Sequence, residues 1–253
     1  MKRGTFVKTE NMNRFLSGLS ALESRGAEEC NLMVVEGHPG LSKTHVTQWW
    51  SVQNNAIFIR AKAAWNEVWM MKDIIKSLNV TPVWSREKLF NQAIDTLCIR
   101  RDDALRSGQT FAIVIDEIDH IVRQKRMMEM LRDITDHLLV VPMIWVGMGQ
   151  VRHNLKRYPQ IASRVGQYVE FLPASFEDAH ALVTELSEVP VADDLIEYLH
   201  QVSKGRVREI KEAIANIERV GRLDKGKEVT LATMRGQVLF NSRETAKAIK
   251  VEA

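Results

Sequence analysis

Cysteine is scarce in this chain. The 253 residues contain two, Cys30 and Cys98, at no metal-like spacing. The pair implies free thiols in a reducing compartment and no disulfide framework. Long apolar runs are missing too. No stretch reaches the roughly 18 apolar residues that a membrane-spanning helix needs. The opening "MKRGTFVKTENMNRF" has early basic residues but no apolar core behind them, which argues against a secretory signal. Nor is there an excess of one charge: 35 Lys and Arg stand against 32 Asp and Glu, a net +3. That balance neither demands nor excludes nucleic acid, because a basic stripe can lie within a near-neutral total. Internal repeats and low-complexity segments are also lacking. What is present, 45% hydrophobic and 26% charged residues, suits a soluble globular protein with one large domain or two modest ones.

Along the chain, Phe15, Leu16, Leu19 and Leu22 fall at helical spacing within residues 10–25. "CNLMVVEG" predicts a short buried strand that runs into a glycine loop, and "KTHVTQWW" begins a helix. "AIFIRAKA" is a second strand. Residues 66–80 and 86–108 predict amphipathic helices, the first ended near Thr81-Pro82 and the second by Gly108. "TFAIVIDEID" and "VVPMIWVGMG" read as buried parallel strands, separated by a helix over 127–138. Beyond Pro173 strands become scarce. Residues 175–188, 192–203 and 207–221 predict three helices, and the remaining tail one more short helix before it frays. Strand–helix alternation followed by helices predicts a parallel α/β domain over 1–173, a small all-helical lid over 174–222 and a tail over 223–253.

The chemistry starts in "EGHPGLSKTH". A strand–loop–helix unit with Gly37, His38, Pro39, Gly40, Leu41, Ser42, Lys43, Thr44 and His45 matches a phosphate-binding loop, with Ser42 where glycine is usual. Backbone N–H groups converging at a helix N-terminus bind phosphate, and the helix dipole assists. Lys43 would neutralise β- and γ-phosphate charge, and the Thr44 hydroxyl would hold Mg²⁺. Asp116 and Glu117 end the apolar strand "FAIVID", placed by this reading beside the phosphate-loop strand. Asp116 would take Mg²⁺ through water, and Glu117 would act as general base on the attacking water. Asp119 is expected to cap the next helix. "VGMGQ" offers either a γ-phosphate-watching residue, with Gln150 the nearest polar side chain, or a tight turn needing glycine. Among Arg152, Arg157 and Arg164, Arg164 is the candidate to reach a neighbouring subunit's γ-phosphate; a surface arginine is the alternative. Arg206 and Arg208 open the last of the three helices. Cations are unfavourable at a helix N-terminus, so phosphate facing them would explain the choice, and Arg208 is the better placed.

These motifs together resemble the AAA+ ATPases: Gly37–Thr44 as Walker A, Asp116-Glu117 as Walker B, Arg164 as arginine finger and "GRVR" at 205–208 as sensor 2. More closely the chain is similar to the transposition ATPases of Mu-like phages and the target-selector ATPases of transposons. "FVKTENMNRFLSGLSALE", "IRAKAAWN" and "VGMGQ" carry that likeness. The resemblance implies a cytoplasmic protein of a phage or mobile element that binds ATP and Mg²⁺. It implies a homo-oligomeric filament on duplex DNA without sequence preference, which delivers target DNA to a transposase. Helicase loaders and replication initiators share the same motifs and stand as the alternative. Arg60 and Lys62 after the second strand, and Arg123, Lys125 and Arg126 after the acids, are the DNA candidates, with a solvated face as the alternative for each. Of the six tryptophans, Trp49, Trp50, Trp69 and Trp145 are expected in the core. Trp65 is left open between core packing and stacking on bases.

Overall fold

The computed structural model describes residues 1–2, 4–223 and 226–252 and divides the chain into two compact units. The first comprises Arg14–His38 and Lys43–Phe171. It is built on five parallel strands: β1 (Leu32–Glu36), β2 (Ile57–Arg60), β3 (Ile113–Asp116), β4 (Met143–Gly147) and β5 (Val165–Glu170). β1, β3 and β4 are buried at every position. Only a nearly continuous apolar sequence tolerates burial on both faces, hence "LMVV", "IVI" and "MIWV". The helices of this unit are α1 (Glu10–Glu23, whose first turn falls in the other unit), α2 (Lys43–Gln53), α3 (Glu67–Ser77), α4 (Arg86–Ser107) and α5 (Lys125–His137). Two short helices follow β4, α6 (Val151–Leu155) and α7 (Pro159–Ala162).

The sheet order is β2-β3-β4-β1-β5. The acid-bearing strand β3 therefore does not lie beside β1, as the sequence led us to expect; β4 lies between them, with Leu32 opposite Met143 and Ile113 opposite the same Met143. The reason is burial. "MIWVG" is the most uniformly apolar of the five strands, and a central place covers it best, with Trp145 fully enclosed. α1 closes on the sheet through Gly18, where an added Cβ would collide with Val169 and come within 3.3 Å of the Met33 sulfur.

The second unit comprises Met1–Asn13, Pro39–Ser42 and the chain from Leu172 onward. Three helices, α8 (Phe176–Leu186), α9 (Asp193–Ser203) and α10 (Val207–Gly221), enclose a core that includes Leu182, Leu199, Ile210 and Ile214. Ser175 caps α8 by accepting from Asp178 N at 3.1 Å. Among its described residues the tail forms no helix. It makes an antiparallel hairpin of β6 (Val238–Asn241) and β7 (Ala248–Lys250), and Leu239, Phe240 and Val251 enter the same core. In "AIKV" Ile249 and Val251 alternate with the exposed Ala248 and Lys250, a period that suits a strand and not a helix. Residues 224, 225 and 253 of that tail lie outside the described residues. The N-terminal residues, expected in the α/β domain, also belong here: Val7 is in this core and Glu10 N donates to Asp178 Oδ1 at 2.9 Å.

Candidate nucleotide-binding site

The loop after β1 is tightly constrained. A Cβ on Gly37 would lie 2.6 Å from the Phe171 carbonyl oxygen, so no side chain fits there. Gly40 takes φ +90°, and its carbonyl accepts from Arg208 N at 3.2 Å. Ser42 adopts φ 66°, the left-handed region in which a Cβ costs roughly 1–2 kcal/mol. The odd letter of the loop thus sits where glycine would be unstrained. Lys43 opens α2 and is buried. Its ammonium donates to the carbonyl oxygens of Gly37 at 2.6 Å and His38 at 2.8 Å. Leu41 is buried, His38, Pro39 and His45 are exposed, and Thr44 is half-buried. The first turn of α2 contains no acid, so its unpaired N–H groups face no competing carboxylate from that turn.

Asp116 is 2% exposed at the end of β3, and its Oδ2 has no hydrogen-bond partner among the described residues. Burial raises its pKa above the ordinary carboxylate value, while a hydrogen bond from Thr44 and the charge of Arg60 pull the other way. The two residues expected to hold Mg²⁺, Thr44 and Asp116, are therefore in contact. A buried carboxylate oxygen without a donor, beside a hydroxyl, is the chemistry a hard divalent cation accepts. The described residues contain no cluster of three His, Cys, Asp or Glu able to hold a metal by themselves. The residues present thus fit an ion completed by phosphate oxygens and water.

Glu117 follows in a left-handed conformation, φ 56°, strain of the kind that gathers at functional sites. Arg60 Nε lies 3.7 Å from Asp116 Oδ2 and 3.8 Å from Glu117 Oε1, and His120 Nε2 lies 3.3 Å from Glu117 Oε2. Asp119 caps no helix. Its Oδ2 accepts from Met148 N at 2.6 Å, tying the turn after β3 to the end of β4. Burial raises the pKa of Asp119, against the pull of that N–H, of Lys43 and of His120. Gly147 explains why the end of β4 carries no polar side chain: a Cβ there would lie 2.6 Å from Asp119 Oδ2 and 3.1 Å from Ile118 Cγ2, and would strike Val151. Gln150 is exposed and heads α6 without a side-chain cap. Asp119 and Gly147 act as a pair that sequence reasoning read separately; only the strand order brings them together.

The arginines divide. Arg164 precedes β5 at the end of the sheet away from the phosphate loop, where its carbonyl accepts from Leu32 N at the start of β1. Its guanidinium forks onto Asp136 of α5 at 2.5 and 3.0 Å. Arg152 is held by Glu36 at 3.2 Å and lies 4.5 Å over the Tyr168 ring, while Arg157 is exposed. In the second unit Arg206 pairs with Glu244 at 3.1 Å, whereas Arg208 is exposed and makes no ion pair among the described residues. Of the DNA candidates, Arg123, Lys125 and Arg126 are exposed, Lys125 with a 3.7 Å contact to Glu129. Lys62 pairs with Asp73 at 2.6 Å, and Arg60 turns to the two acids. Trp65, Trp50 and Trp145 are core residues and Trp49 is half-buried. Trp69, expected inside, is 41% exposed, and Trp84 is 93% exposed.

A parallel sheet with a lysine-bearing glycine loop after β1 and two acids ending β3 defines a P-loop nucleotide-binding domain. The chain belongs to the family described as the AAA domain, whose model matches residues 25–155, just over half of the chain. A Staphylococcus aureus protein described as a potential ATP-binding protein is 31% identical over 144 residues, which are 52% of this chain and 52% of that protein. The chain thus spans about half the length of this relative. Among solved structures, Pyrobaculum aerophilum Cdc6p aligns with TM-score 0.63 at 15% identity over 96% of this chain and 71% of that one. The Aeropyrum pernix ORC1 protein, solved in complex with DNA, aligns with TM-score 0.61 at 16% identity over 88% and 63%. Domain III of the Thermotoga maritima replication initiation protein DnaA aligns with TM-score 0.54 at 17% identity over 90% and 95%. At these identities the likeness is one of fold, the AAA+ P-loop fold.

Proposed function

We propose that this protein is an ATP hydrolase that binds duplex DNA without sequence preference, forms filaments on it while ATP is bound, and delivers that DNA to a transposase. Lys43 would contact the β- and γ-phosphates, with the loop's N–H groups around them. Mg²⁺, when bound through Thr44 and Asp116, would neutralise phosphate charge. Glu117 would polarise the attacking water. Arg208 and a neighbouring subunit's Arg164 would stabilise γ-phosphate charge, Arg164 by exchanging Asp136 for phosphate. Arg123, Lys125 and Arg126 would track DNA phosphates. The site of action would be the cytoplasm of a bacterial host.

One observation carries the coupling between DNA and ATP. Arg60 is a DNA candidate that lies within 4 Å of both acids, at 3.7 Å from Asp116 and 3.8 Å from Glu117. While Arg60 sits against Glu117, it competes with the attacking water for that carboxylate. A DNA phosphate that draws Arg60 away would free the carboxylate for the water, so DNA would stimulate turnover. Arg60→Ala should weaken duplex binding and raise DNA-free ATP turnover several-fold. Unchanged DNA-free turnover would contradict this coupling. The transposase role rests on the likeness to Mu-type transposition ATPases. A second reading, a replication initiator or helicase loader, is favoured by the fold shared with the Cdc6p, ORC1 and DnaA structures. Pull-down with a transposase against a replicative helicase separates the two.

A further inference from the structure

We infer that the outer face of α3 and the turn before α4 form a stacking site for unpaired nucleotide bases. α3 buries Met70, Met71, Ile74 and Ile75. The opposite stripe carries Trp69, Lys72 and Lys76, one and two turns apart along the helix. Lys62 Nζ lies 5.2 Å over the Trp69 ring, and Lys72 Nζ lies 5.4 Å over the ring of Trp84. Cation and indole therefore alternate across the patch.

The patch is held in place from beneath. Asp73 Oδ2 accepts from Lys62 Nζ at 2.6 Å and from the buried Trp65 Nε1 at 2.9 Å. Asn66 Oδ1 accepts from Trp69 N at 2.9 Å and fixes the first turn of α3. The turn carrying Trp84 is clamped by Gln92, which accepts from Val83 N at 2.9 Å and donates to Thr81 O at 2.9 Å. An indole with 93% of its surface in water contributes almost nothing to packing, yet the backbone that carries it is hydrogen-bonded in place. A flat π-face with an ammonium at its centre matches a base with its phosphate. The base takes the ring, and the displaced lysine turns to the phosphate oxygen. Bases in a duplex already stack on each other, so this face selects single strands.

The inference rests on the reading of the chain as DNA-binding, and one experiment separates the two. The full chain with ATP and Mg²⁺ is titrated against fluorescein-labelled oligothymidylate and against a mixed-sequence duplex. Trp84→Ala should weaken oligothymidylate binding about ten-fold and leave duplex binding unchanged. Trp84→Phe should retain most of the affinity, and oligothymidylate should quench the wild-type tryptophan emission. Basal ATP turnover in each variant reports that the fold is intact. If Trp84→Ala binds oligothymidylate like wild type, or loses duplex affinity by the same factor, the stacking site is wrong. If wild type binds the duplex but not oligothymidylate, the stacking site alone falls. If it binds neither, the DNA reading falls with it.

Discussion

Ser42 and Asp116 show how this site spends stability on function. Ser42 holds φ 66° in the middle of the phosphate loop. Ser42→Gly removes the Cβ strain and should raise unfolding free energy by about 1 kcal/mol, less the extra chain entropy of glycine. Denaturant midpoints measure this, and no gain would show that the loop relaxes around serine without cost. Asp116 is pushed toward the neutral form by burial. Its folded pKa lies above its unfolded one, so ionising it weakens the fold. That penalty is absent below the ordinary carboxylate pKa, grows as pH rises to the folded pKa, and is full above it. Asp116→Asn should therefore be more stable than wild type at neutral pH, with the difference shrinking as pH falls through the carboxylate range. The same variant should lose the stabilisation that Mg²⁺ with ATP would give at the proposed site. Thermal midpoints across pH decide it: an Asn variant less stable than wild type at pH 7 would contradict the account.

At the scale of elements, the end of β4 is where sterics replace chemistry. Gly147 leaves room for the Asp119 carboxylate, which binds Met148 N at 2.6 Å. Gly147→Ala drives a methyl group against Asp119, Ile118 and Val151. It should cost about 1–3 kcal/mol as an overpacked site does and slow ATP turnover by displacing the turn after β3. Wild-type stability and turnover in that variant would mean the space is less tight than the geometry requires. Which parts of this architecture were legible beforehand follows from range. The helix over 86–108 could be read because its stop, Gly108, is local, and Gly108 does adopt φ 65°. That a glycine loop follows β1 and that the acids stand at the end of β3 could be read because those spacings along strands are local as well. Sheet order could not, because β4 enters between β1 and β3 through contacts distant in sequence. The tail was misread because a short alternating run resembles a fraying end until Leu239 and Phe240 find a core. Trp69 was misassigned for a related reason: its neighbours Met70 and Met71 are buried, and one residue of register decides which side of α3 faces water.

For the whole molecule, the chain falls into two units, each with its own core. Lys43, Thr44, Asp116 and Glu117 belong to the sheet unit, and Arg208 to the helical one. In the second unit the tail hairpin is bound to the start of α10 by charge: Arg243 contacts Glu212 at 2.9 Å, and Glu244 contacts Arg206 at 3.1 Å. The proposed function is that of a switch whose DNA affinity depends on the nucleotide. The most direct test is duplex DNA binding by fluorescence anisotropy with ATP, with ADP and without nucleotide, over a salt series, for wild type and Lys43→Ala. The account predicts tight, steeply salt-dependent binding with ATP, weak binding with ADP, and no response to ATP in Lys43→Ala. Equal wild-type affinity under all three nucleotide conditions, or affinity indifferent to salt, would contradict it.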